Sequence, residues 1–143
     1  MLVNLSNHPV QGVWDIETNQ YLNPWSCEQR GAAEQQFGCI VDLQFPIIPA
    51  EYDLNETQAL AYKYLELCKK SLPTPTQNDA VFLMGELVFC SILSRLLLNE
   101  GIRVVSATTA RCNVDLGNGV SRKTFKFVSF RDYGLPICSE RWM

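Results

Sequence analysis

Ala80-Val81-Phe82-Leu83-Met84-Gly85-Glu86-Leu87-Val88-Phe89-Cys90 is the stretch that decides the fold. Its first five residues are all apolar, so the strand they predict is buried on both faces, as strands of parallel sheets are. Gly85-Glu86 turns the chain, and 87–99 reads as a helix stopped by Gly101. Ile102 to Ser106 follows as another apolar strand. Strand, helix and strand in this order make a parallel crossover unit.

The same alternation continues upstream. Met1 to Leu5 is an apolar first strand that ends in the turn formers Ser6-Asn7-His8-Pro9. Ser26-Cys27-Glu28-Gln29 is a capping box, so a helix runs from there to Phe37 with Gly38 as its stop. Cys39 to Leu43 is a second strand. Asn55 and Gln58 mark the start of a helix over 55–71, with Leu60, Tyr64, Leu67 and Cys68 at helical spacing. Downstream, Thr109–Val114 and Thr124–Phe130 flank Gly117-Asn118-Gly119, a hairpin signal. Residues 10–24 read as an inserted loop or hairpin and 132–143 as an irregular tail. The expected fold is a single α/β domain over 1–143. It is open and Rossmann-like, with a mainly parallel sheet, helices on both faces and a C-terminal antiparallel hairpin.

A chain of 143 residues, 47% hydrophobic and 19% charged, has the material for a core and is not a disordered or low-complexity segment. Its net charge of −3 argues against long nucleic acid as a partner. The charge is unevenly spread: residues 1–102 hold 5 Lys/Arg and 12 Asp/Glu, whereas 103–143 hold 7 and 3. A basic last third suits a small anion or nucleotide, or is an ordinary solvated hairpin. Six cysteines without a Cys-x-x-Cys, and a single histidine, point away from a zinc site or a redox dithiol. No metal and no cofactor are expected. Nothing reads as a signal peptide, and Leu87–Leu98 is too short to span a bilayer. A cytoplasmic protein without a membrane is the expectation.

Open parallel sheets bind ligands beyond the carboxyl ends of their strands. That rule gathers Ser6, Asn7 and His8 after the first strand, Gly85 and Glu86 after the third, and Ser106, Thr108, Thr109 and Arg111 after the fourth. His8 suits acid–base work, or is a loop histidine bonded to backbone. Ser6 and Asn7 suit phosphate, or simply form the turn before Pro9. Gly85 sits at a helix start that attracts anions; Glu86 there either meets ribose hydroxyls and acts as a base or is a helix-end carboxylate. Hydroxyls leading to Arg111 suit phosphate, since arginine offers forked donors, though threonine is also an ordinary strand residue. Arg131 adds a second cation or a surface charge. No glycine-rich phosphate loop and no Gly-x-Ser-x-Gly elbow occurs. The helix over 87–99 is apolar on nearly every side. It is therefore an interface in a homodimer, or is covered by the chain's own tail and loops.

Leu2-Val3-Asn4-Leu5-Ser6-Asn7-His8-Pro9, a strand ending in Ser and His-Pro, resembles the start of small CRISPR-associated Rossmann-fold (CARF)-like proteins, some of which are ring nucleases. The resemblance implies a dimer that binds cyclic oligoadenylate across its two-fold axis. It implies metal-independent cleavage, a ribose 2′-hydroxyl attacking the adjacent phosphate. Ser6, Asn7 and His8 would then line the phosphates, Thr108, Thr109 and Arg111 would stabilise developing charge, and Glu86 would orient the hydroxyl. Two other readings stand beside it. One is a non-enzymatic interaction module that uses 13–22 and the third helix; the other is a small-molecule enzyme with His8 and Glu86 as an acid–base pair.

Overall fold

The computed structural model describes residues 1–137. In chain order the elements are β1 (Leu2–Ser6), β2 (Val13–Asp15), β3 (Gln20–Leu22), α1 (Cys27–Phe37), β4 (Ile40–Asp42), α2 (Leu54–Ser71), β5 (Ala80–Met84), α3 (Leu87–Asn99), β6 (Arg103–Gly117) and β7 (Val120–Asp132). Five strands form one sheet in the order β4-β1-β5-β6-β7. The first four are parallel neighbours, and β7 returns antiparallel to β6. The chain leaves β1 toward β4 and later resumes on the other side of β1 at β5, so the topological switch lies between β1 and β5. The expected α/β class, mainly parallel sheet and C-terminal antiparallel pair are present.

Alternation along the buried strands builds two cores. Val3, Leu5, Val81, Leu83 and Val104 face α2 and α3, where they meet Ala61, Leu65, Phe89, Leu93 and Leu97. Leu2, Ala80, Phe82 and Val105 point the other way, toward Trp25 and the Ala33 and Phe37 side of α1. Helices therefore lie on both faces.

Helix starts follow local chemistry. Ser26 Oγ accepts from the Gln29 amide at 3.1 Å, the serine half of the capping box that the sequence predicts. The cap of α2 lies two residues before Asn55. Asp53 accepts from the Glu56 amide at 2.9 Å and the Asp53 amide donates back to Glu56 Oε1 at 3.4 Å, a complete capping box.

α3 is covered by its own chain. The sheet lies under Phe89, Leu93 and Leu97, and α2 packs beside it. The segment after β7 closes over its end, where the Ile137 amide donates to the Leu98 carbonyl at 3.1 Å. Leu87 and Val88 remain exposed. Most of the apolar residues of 87–99 are thus met by internal packing, and Leu87 and Val88 lie outside it.

The main difference from the sequence reading is β6. The expected fourth strand and the first hairpin arm are one continuous element of 15 residues. β5 pairs with it only from Arg103 to Val105. Beyond that point β6 and β7 form a two-stranded ribbon in which every residue from Thr109 to Lys123 is exposed. Gly117, Asn118 and Gly119 all take positive φ at its tip, the left-handed geometry that a tight hairpin turn needs. The 10–24 insertion contains a small hairpin of β2 and β3.

Candidate functional site

β1 ends in a buried polar cluster. Asn4 and Ser6 are almost fully inaccessible. The Asn4 amide group donates to the His8 carbonyl at 3.0 Å and to Asp42 Oδ1 at 2.8 Å. Ser6 Oγ donates to Asn4 Oδ1 at 2.8 Å and accepts from the His8 amide at 3.2 Å. Trp25 Nε1 also donates to the His8 carbonyl, at 2.8 Å. Buried polar groups demand partners, and here three side chains converge on one turn. Ser6 is therefore committed to fixing the 6–8 backbone. Its role is to position His8, which is itself exposed.

His8 stands at one end of a half-open groove of about 670 Å³. The floor is the sheet beyond the strand ends: Phe82, Met84, Ala107, Thr109, Phe125 and Phe127. The wall is the lead-in to α1, from Asn23 to Gln29, with Trp25 at its centre. Trp25 packs on Phe82 with ring centroids 4.9 Å apart, and Phe127 meets Phe130 at 5.0 Å. Arg111 stands 5.5 Å over the Phe125 ring at the outer end. Ser26 takes the Gln29 amide, while the Cys27 and Glu28 amides of the first turn have no carbonyl within the helix to meet. An aromatic bed of tilted rings, a cation at its edge, an imidazole and a helix N-terminus suit a ligand with an aromatic base and negative charge.

The expected site residues separate into distinct places. His8 and Thr109 share the groove. Asn7 and Ser6 border a second cavity of about 490 Å³, with Phe45 and Ile47. Glu86 borders a third, on the α2–α3 side, with Tyr52, Asp53 and Val88. Its carboxylate accepts from the Val88 amide at 3.0 Å and the Phe89 amide at 2.6 Å, so it caps α3. That occupies the donors an anion would have used. Gly85 owes its identity to packing, because a Cβ there would run into the Phe45 ring. Ser106 and Thr108 sit on the opposite face of β6 from Thr109 and Arg111, since side chains alternate along an unbroken strand. Thr108 Oγ1 bonds Ser129 Oγ across the ribbon at 2.9 Å. Arg131 pairs in register with Ser106 on that other face. The strand-end rule expects these hydroxyls in one loop; the continuity of β6 divides them between two faces.

Trp25, Phe125 and Phe127 are not among the residues the sequence reading singles out. The signal available is the period-two spacing of Phe125 and Phe127 in the second hairpin arm, which places both on one face. Burial pushes the Cys68 and Cys90 thiols up to about 12, so neither is a nucleophile near neutral pH. Among the described residues no group of three His, Cys, Asp or Glu is placed to hold a metal. Nor is any helix among them long and apolar enough to cross a membrane. Cys138 lies outside the described residues.

Comparison with known proteins gives one positive result. The model of the Uncharacterized protein MJ1673 family matches residues 1–131. The chain belongs to this family. No curated protein and no solved structure matches it. The match to the MJ1673 family takes in β1, the Trp25 segment and all but the last residue of β7, so every residue that forms the groove lies within it.

Proposed function

We propose that this chain is a nucleotide-binding domain whose ligand lies in the groove between His8, the Trp25 segment and the β6–β7 ribbon. Cyclic oligoadenylate is the ligand class that the resemblance implies. The observation that carries the reading is the convergence of Trp25, Phe125 and Phe127 with His8 and Thr109 on one groove, with Arg111 over the Phe125 ring beside it. Aromatic faces stack bases, and arginine meets phosphate with forked donors. His8 and Arg111 border this region and Glu86 does not. A ring-nuclease step here would use His8 as the proton-transfer group and Arg111 for developing charge, with Glu86 confined to capping α3.

The test is calorimetric titration with cyclic oligoadenylates and AMP, with chromatography of the same mixtures for products. Binding that falls about tenfold or more in Phe127→Ala and Arg111→Ala supports the site. Cleavage lost in His8→Ala and kept in Glu86→Gln supports the catalytic version. No binding of any nucleotide by the wild-type chain overturns the reading.

A second reading has its own observation. Val13, Trp14, Ile16, Tyr21 and Leu22 on the β2–β3 hairpin are all exposed, with Ile16 at 85%. Exposed apolar clusters mark interaction surfaces, so a protein partner there is the alternative. Loss of a co-purifying partner in Trp14→Ser together with Ile16→Ser would favour it.

A further inference from the structure

The ribbon outruns the groove, and its charge runs with it. Between Thr109 and Lys126 the chain carries Arg111, Arg122, Lys123 and Lys126 against a single acid, Asp115. Among the described residues none of these four cations has an acidic partner, whereas Arg103 at the base of the ribbon is paired to Asp132 at 2.6 Å. The whole-chain charge of −3 therefore conceals a local cationic arm.

Register sorts the arm into two unlike faces. Thr109 is opposite Phe127, Arg111 opposite Phe125 and Asn113 opposite Lys123. These six share the face that continues the groove, and Asp115 opposite Ser121 lies beyond them on the same face toward the tip. The reverse face carries Ala110, Cys112 and Val114 opposite Lys126, Thr124 and Arg122. Phe125 is 65% exposed on the groove face, with the Arg111 guanidinium 5.5 Å over one side of its ring and the other side open. Alternating rings and cations on one strand pair are the elements of a single-strand platform: bases stack and phosphates are neutralised beside them.

We infer that the groove-side face of the ribbon binds single-stranded RNA, with Phe125 and Phe127 stacking bases and Arg111 and Lys123 holding phosphates. Charge complementarity selects a polyanion over a protein surface of ordinary charge. The short polar side chains Thr109 and Asn113 on the same face select RNA, because a 2′-hydroxyl gives them a donor and acceptor to meet. The inference rests on the nucleotide reading of the groove, since Phe125, Phe127 and Arg111 serve both and Lys123 is what the ribbon adds.

The experiment is fluorescence anisotropy of a labelled oligo(U) RNA of about a dozen nucleotides, titrated at several salt concentrations. A DNA strand of matching length and AMP are run in parallel. Binding of RNA in preference to DNA is expected. Arg111→Ala with Lys123→Ala should weaken it at least tenfold and reduce the salt slope by about 1.4, for two lost phosphate contacts on a single strand. Circular dichroism should show the double variant folded, since both side chains are exposed. AMP binding without RNA binding overturns the inference and leaves the groove reading standing. RNA binding with no binding of AMP or of cyclic oligoadenylate keeps the ribbon and overturns the groove reading. Equal affinity for DNA overturns the assignment to RNA, and an unchanged salt slope in the double variant overturns the assignment to this face.

Discussion

β6 is one strand with two lives. At its start Val104 and Val105 are wholly inaccessible, one in each core. From Thr109 to its end at Gly117 every residue is exposed. The element is continuous between them; what changes is the neighbour, since β5 stops pairing at Val105 and leaves β7 as the only partner. The buried half holds the fold together. A two-stranded ribbon has little stability of its own, so the exposed half is carried by that base and is free to take residues for contact with other molecules.

The largest effect should come from breaking the buried side. Phe89 is fully inaccessible and meets the Phe45 and Tyr64 rings at 5.4 and 5.7 Å. Phe89→Ala should cost about 3–5 kcal/mol of stability, read by chemical denaturation. A loss under about 1 kcal/mol would mean that the α2–α3 face is not the main core. Next comes the polar cluster at the end of β1. Asn4→Leu removes both amide donors and the acceptor of Ser6, and should cost about 1–3 kcal/mol. It should also weaken ligand binding through displacement of His8, although residue 4 does not line the groove.

A smaller change separates capping from chemistry. Glu86→Ala should destabilise by about 1 kcal/mol through loss of the α3 cap. Its nucleotide affinity should match the wild type. A large loss of affinity with unchanged stability would return Glu86 to the binding site. The smallest stability effect belongs to the ribbon. Phe125→Ala should shift stability by no more than about 0.5 kcal/mol while binding weakens severalfold. Equal losses in both would show that the ribbon is part of the core and erase the contrast between the halves of β6.

The buried strands and the hairpin are readable from residues, and the join between them is not, for a physical reason. An unbroken apolar run at 80–84 and a capped helix start at Ser26 have few alternative meanings. Ser106-Ala107-Thr108-Thr109 has two, because small hydroxyl residues serve equally in a strand and in a phosphate loop. Only pairing with β7 decides, and pairing is non-local. Glu86 is ambiguous in the same way: a carboxylate at a helix start can cap or catalyse, and the short bonds to Val88 and Phe89 resolve it. The groove depends on Trp25 reaching the His8 carbonyl across 17 residues of chain, a contact with no local signature.

The most direct test of the account is an amide and indole chemical-shift titration of the labelled protein with cyclic oligoadenylate. Perturbations are expected to cluster at His8, the Trp25 indole N–H, Thr109 and the Phe125–Phe127 segment, with the α2–α3 face silent. Shifts gathered instead around Glu86, Tyr52 and Val88, or no shifts at saturating ligand, would contradict it.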